Sequence, residues 1–158
     1  LDPLKSFVGM KAMFENILVV CVGNICRSPT AELLLRHYLP ELHVSSAGIG
    51  ALSGKGMDKT ALDVARQHGL DGRRHVARQV DNAMLHAADL ILVMEHDHID
   101  AIAKHAPQAL GRVMLLGKWL QEREIPDPYR QQRAAFEHVY RLIDDAVRAW
   151  QPYLHAGE

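Results

Sequence analysis

The chain holds little of what would betray a function through bulk properties. Two cysteines, Cys21 and Cys26, stand among 158 residues, too few for a disulfide framework and without the paired spacing of a zinc site. Such usage fits a reducing compartment, most simply the cytoplasm. Net charge is only −1, and Lys and Arg are interspersed with Asp and Glu. That argues against nucleic-acid or membrane-surface binding driven by bulk charge. The longest apolar run, Ile17 to Val22, is far too short to cross a bilayer, so no membrane insertion is expected. Internal repeats and low-complexity segments are missing too. Residues 1–12, LDPLKSFVGMKA, lack an initiating Met at position 1 and the apolar centre of a signal peptide. They read as a leader or expression remnant, with Met10 or Met13 as the natural start.

What is present is an ordinary globular composition in a length suited to one domain with its own core. Strand and helix patterns alternate. Ile17–Val22 is β-branched and continuous, as a strand buried on both faces should be. Ser28 reads as a helix N-cap with Pro29 at the first helical position and Glu32 in the first turn, the helix stopping near Pro40. A second strand is predicted at 43–47, followed by the loop GIGALSGKG. A helix over 58–68 ends at Gly69, and a short helix covers 80–87. Strands at 90–94 and 113–116 flank a helix over 97–105 that stops before Pro107. The last helix, 131–150, places Phe136, Val139, Tyr140, Ile143 and Val147 on one face. The pattern predicts an α/β domain with a four-stranded parallel sheet flanked by helices, flavodoxin-like or Rossmann-like. Its ligand belongs at the carboxyl ends of the strands.

That place is occupied by CVGNICRSP. Cys21 and Arg27 stand in a Cys-x5-Arg spacing, and Ser28-Pro29 opens a helix. If the loop curls around an anion, backbone N–H groups from Val22 to Ser28 converge on it and the helix adds its positive end. Gly23 permits a positive φ and Asn24 tolerates one. Arg27 offers two parallel hydrogen bonds to phosphate oxygens. The same positive field favours the thiolate of Cys21, and Ser28 can donate to the sulfur. These parts suit in-line attack of sulfur on a tetrahedral dianion. The leaving oxygen needs a proton, and Asp127, between Pro126 and Pro128, is the candidate acid and the later base on water. No metal or other cofactor is expected. Bland alternatives stand beside each reading: Cys21 as strand-end packing, Asp127 as a turn former, and the His-x-His of EHDHID as a solvated cap region and no metal site.

VCVGNICRSPTAE, followed late in the chain by DPY, resembles the low-molecular-weight protein tyrosine phosphatases over about residues 13–153. MFENILVVCVGNICRSPTAE, SAGIGALSGKG, HVARQV and EIPDPYR are similar to the bacterial branch associated with capsule and exopolysaccharide production. The domain is accordingly placed at 13–158. The resemblance implies Cys21 as a phosphocysteine-forming nucleophile, Arg27 as phosphate clamp and Asp127 as general acid. Val22, Gly23, Asn24, Ile25, Cys26 and Ser28 would form the phosphate loop. Asn24, Ser28, Ser46 and His75 would form a hydrogen-bond network that holds it. Tyr129 and Leu52 would line the mouth. For His75 and Tyr129 the alternative is an ordinary loop side chain. Cys26 either packs beneath the loop or acts as a reversible disulfide partner that guards Cys21. Arg130 stands where many eukaryotic members have a second tyrosine, so regulation through a tyrosine pair is not expected. The implied partner is a phosphotyrosine protein, foremost an autophosphorylated membrane tyrosine kinase of polysaccharide export, and the implied state is a monomer.

Three rivals are weighed. Arsenate reduction in this kind of fold relays electrons through further cysteines, and none follows Cys26. Arginine-phosphate phosphatases tend to carry Thr where this chain has Ile25. A non-catalytic phosphotyrosine-binding module should have lost Cys21, Arg27 or Asp127, yet all are present.

Overall fold

The computed structural model describes residues 14–154. The expectation for residues 1–12 lies outside them. In chain order the elements are β1 (Asn16–Cys21), α1 (Arg27–Tyr38), β2 (His43–Gly48), α2 (Lys59–Gln67), α3 (Asn82–Ala87), β3 (Leu90–Val93), α4 (His96–His105), a 3-10 turn (Pro107–Arg112), β4 (Val113–Leu115) and α5 (Arg133–Leu154). The four strands form one parallel sheet in the order β2-β1-β3-β4, the predicted α/β architecture.

Period-two alternation along β1 divides the core. Ile17, Val19 and Cys21 face a cluster with Leu34, Leu35, Ile143 and Trp150, while Leu18 and Val20 face Leu85, Ile102 and Leu115. Both faces are therefore covered by helices, which is why the run reads as continuous aliphatic sequence rather than an alternating one. Each such side chain contributes about 1.5–3 kcal/mol when fully buried. The predicted face of α5 is buried, with Trp150 at its centre donating Nε1–H to Leu116 O at 2.8 Å.

Several boundaries moved. α1 starts at Arg27 with Cys26 as N-cap, not at Ser28, because the Ser28 hydroxyl is bonded elsewhere and caps nothing. Pro29 still falls in the first turn, where a missing N–H costs nothing. β1 ends one residue early, so Val22 lies in the loop. The short helix begins at Asn82, because Asp81 accepts from Met84 N and Val80 is instead tied to Gly48 O. α2 is capped by Asp58 through Thr60 N and Ala61 N, and its end is followed by Gly69 at φ 83°. The 3-10 turn was not predicted; Pro107, without an N–H, can open a new turn but cannot continue α4. α5 starts at Arg133 and extends to Leu154, past Pro152.

The edge of β2 is closed by side chains. Arg36 donates to Val44 O through Nε and Nη2, and Arg78 Nε donates to Ser46 O at 2.9 Å. Carbonyls that would otherwise template a further strand are thereby occupied.

Candidate active site

Strand order reverses across β1, since β2 lies on one side and β3 on the other. The loop after β1 and the start of α4 after β3 meet at this switch point, where α/β sheets bind ligands.

The loop from Cys21 to Arg27 is held by its carbonyls. Ile49 N donates to Cys21 O, Gly50 N to Val22 O, Leu52 N to Gly23 O and Asp58 N to Ile25 O, all at 2.9–3.0 Å. Asn24 O accepts from His75 Nε2 at 2.6 Å, and Cys26 O from the Thr30 hydroxyl at 2.7 Å. Because each peptide carbonyl opposes its N–H, tying the oxygens outward turns the N–H groups inward. None of the N–H groups from Gly23 to Cys26 donates to another described residue. Those of Arg27 and Ser28 are orphans of a helix start. The result is a loop of convergent N–H groups, a geometry suited to an anion.

Asn24, not Gly23, adopts the left-handed backbone, at φ 59°. The strain is offset because every polar atom of the Asn24 side chain is used. Its Oδ1 accepts from Arg78 N at 3.0 Å, and Nδ2 donates to Ser28 Oγ at 2.8 Å and Ser46 Oγ at 3.0 Å. At Gly23 a Cβ would make only ordinary van der Waals contact, with Ile25 at 3.7 Å and Leu52 at 3.9 Å. Gly48 was not singled out from the sequence, yet a Cβ on it would meet Val22 O at 2.3 Å, so only glycine lets the end of β2 pass the loop.

Ser28 Oγ lies 2.9 Å from Cys21 Sγ and accepts from Asn24 Nδ2, so its own proton can be given to the sulfur when Cys21 is a thiolate. Ser46 likewise accepts from Asn24 and donates to Glu32 Oε1 at 2.6 Å. Glu32, predicted only as a first-turn residue, thus ends the chain and is itself paired with Arg36 at 2.7 Å.

Arg27 is buried, at 2% exposure. Its Nη1 donates to Glu95 Oε2 at 2.6 Å and to Ile125 O at 2.8 Å. Nη2 stands 3.7 Å from Asp127 Oδ2, outside hydrogen-bond range, so Nη2 and Nε remain available to an anion. Glu95 was missed in the sequence. The available signal was its position directly after the predicted buried strand 90–94, at a carboxyl end where α/β folds place ligands. Asp127 spends Oδ1 on Tyr129 N at 3.0 Å, an Asx turn that leaves Oδ2 toward Arg27.

These residues enclose a pocket of about 190 Å³, lined by the loop from Cys21 to Arg27 and by Gly50, Leu52, Asp127 and Tyr129. Val22, Leu52 and Tyr129 are exposed at its mouth, and the Arg130 guanidinium lies over the Tyr129 ring. Ser46 and His75 stand behind the loop, each hydrogen-bonded to Asn24. Cys26 is buried between this pocket and a small apolar cavity beside Phe136 and Tyr140. Burial pushes its thiol well up, with Asp58, Asp127 and Cys21 adding and Arg27 opposing. Both sulfurs are free thiols. A larger hollow of about 670 Å³ lies toward the amino ends of β1 and β2 and contains none of the predicted site residues.

The low molecular weight phosphotyrosine protein phosphatase profile matches residues 16–157. The chain belongs to this family. Wzb of Escherichia coli strain K12, a low molecular weight protein-tyrosine-phosphatase, is 55% identical over 92% of this chain and 99% of its own. The solved structure of Vibrio vulnificus Wzb in complex with benzylphosphonate is 49% identical with a TM-score of 0.85, covering 87% of this chain and 97% of that one. The YwlE arginine phosphatase of Geobacillus stearothermophilus shares the fold, with a TM-score of 0.82 over 91% of this chain and 99% of that one, at 26% identity. The protein is thus a low molecular weight protein tyrosine phosphatase, similar to Wzb over most of its length. Among the described residues no helix is long and apolar enough to cross a membrane.

Proposed function

We propose that the enzyme hydrolyses phosphotyrosine through a phosphocysteine intermediate at Cys21. The Cys21 thiolate attacks phosphorus, forming the S–P bond as the P–O bond to the phenol breaks. Asp127 gives its proton to the departing oxygen. Asp127, now a carboxylate, takes a proton from water, which attacks phosphorus, breaks the S–P bond and releases inorganic phosphate. Arg27 and the inward N–H groups hold the equatorial oxygens throughout. The observation that carries this reading is the placement of Cys21, the free edge of Arg27 and Asp127 Oδ2 around one pocket.

A phenyl ring suits the walls: Ile25 lines the pocket with Leu52 and Tyr129. A phosphorylated guanidinium would bring charge against Ile25 with no partner offered there, a desolvation cost that a phenyl ring avoids. Acid quenching during turnover of a phosphotyrosine peptide should trap about one phosphate per Cys21, and a phosphoarginine peptide should turn over at least about 100-fold more slowly. Equal turnover of the two, or no trapped phosphate on Cys21 under single-turnover conditions, counts against the reading.

The physiological substrate proposed here is an autophosphorylated tyrosine kinase of exopolysaccharide export, met in the cytoplasm by a monomeric enzyme. The similarity to Wzb supports it. Cys26 is proposed as the guard of Cys21. Peroxide oxidises the Cys21 thiolate to a sulfenic acid, and the Cys26 sulfur then displaces hydroxide from it to form a disulfide. Since the raised Cys26 thiol must first lose its proton, the closing step should quicken with pH. Peptide mapping after peroxide should find Cys21 linked to Cys26; finding only Cys21 sulfonic acid removes the proposal.

A further inference from the structure

We infer that His98 is a positioning residue for the phosphate clamp, a neutral imidazole that fixes Glu95 and, through Glu95, Arg27. The inference rests on the phosphatase reading of this pocket. The His-x-His of EHDHID was expected to face solvent. His96 does, but His98 is buried at 5% exposure.

A buried imidazole must account for two nitrogens. Nδ1 lies 3.3 Å from both Met94 N and Glu95 N, which are donors, so Nδ1 carries the lone pair. The proton of the neutral ring therefore sits on Nε2 and faces Glu95 Oε2 at 3.7 Å, an electrostatic contact beyond hydrogen-bond range. That oxygen is the one that accepts Arg27 Nη1 at 2.6 Å. Glu95 in turn accepts the His98 backbone N–H, completing a reciprocal capping box at the start of α4. Imidazole, carboxylate and guanidinium stand in one row, ending at the pocket.

The surroundings keep the ring uncharged. Burial lowers its proton affinity most and Arg27 next, while Glu95 and Asp97 on its own element and Glu124 from the segment after β4 act in the opposite sense. Protonation would put an N–H on Nδ1 against two backbone N–H donors and a second cation beside Arg27. The sign follows: with a folded-state value below the ordinary 6.5, the stabilisation is complete above 6.5 and is lost as pH falls through the folded value. On the acid side the row opens at its His98 end and Glu95 loses its lock.

Binding of inorganic phosphate by calorimetry reads the clamp without turnover, and p-nitrophenyl phosphate reads the reaction. His98→Leu, which keeps volume but accepts nothing, should weaken phosphate binding and lower kcat/KM by about tenfold each. His98→Gln, whose amide oxygen can take the same N–H groups and whose NH2 can face Glu95, should recover both to within about threefold. Because the effect passes through Glu95, adding His98→Leu to Glu95→Gln should change phosphate binding little further. A folded His98→Leu protein with wild-type phosphate affinity, or losses that multiply in the double variant, overturns the inference. Should His98→Leu fail to fold, the His98→Gln profile decides. Its phosphate affinity should fall less than that of the wild type below pH 6.5, and identical profiles refute the role. Failure of the phosphatase reading would show separately, as a wild-type protein that binds phosphate but turns over no ester.

Discussion

Cys21→Ser abolishes turnover, lowering kcat by at least about 10⁴-fold, while inorganic phosphate binds within about threefold of wild type. The separation follows from the division of labour in the loop. The anion is held by Arg27, by N–H groups turned inward through their tethered carbonyls and by the start of α1. None of these depends on the sulfur. The reaction does, because a serine hydroxyl keeps its proton and has no base beside it: its neighbour at 2.9 Å is Ser28, another hydroxyl. Calorimetry with phosphate and a sensitive assay with p-nitrophenyl phosphate measure the two halves. Residual turnover above about 1% in thiol-free protein would move the nucleophile elsewhere. The same variant, folded and able to bind, is the reagent for trapping the natural phosphotyrosine partner.

Asp127→Asn should lower kcat/KM for phosphotyrosine by about 10²–10³-fold, and for p-nitrophenyl phosphate by less than about tenfold. Because kcat/KM reports only steps up to release of the phenol, it isolates the role of Asp127 as acid. A basic phenolate needs the proton and an activated one does not. The second role shows in kcat. Without a base for water the thiophosphate accumulates, so the variant should release a burst of nitrophenol equal to the enzyme and then slow. Asn preserves the turn, since its side-chain oxygen still accepts Tyr129 N, so the loss is not one of loop structure. Equal slowing of the two substrates in kcat/KM would deny Asp127 the acid role.

Much of this was legible in the chain. Cys21, Arg27 and Ser28 share one local loop between a strand and a helix, and local chemistry prescribes what such a loop can hold. One detail of that loop differs and another is decided only in the fold. Ser28 looks like an N-cap, and Gly23 and Asn24 both look able to take the left-handed backbone, because sequence presents only local competition for hydrogen bonds. In the fold, Asn24 gains partners from Ser46 and Arg78, and these offset the strain of its φ. Ser28 is drawn to the sulfur, so the cap falls on Cys26.

His98 is the sharper case. A His two places beyond another His at a helix start reads as solvated, and only the closing of the turn over Met94 and Glu95 buries it. Glu95 and Arg27 are 68 residues apart, and no periodicity links them.

The sequence by itself determined the alternation of strands and helices, the Cys-x5-Arg loop between a strand and a helix, and the proline frame of Asp127. Side-chain periods of two and 3.6 residues and the chemistry of a single turn act over a few positions. Strand order was decided only in the tertiary structure, and with it which strand ends meet. Setting β3 beside β1 brings Glu95 under Arg27, and setting β2 on the other side of β1 brings Gly48 against Val22 O. These contacts depend on the packing of both sheet faces at once, a global balance of burial that no local stretch of residues encodes.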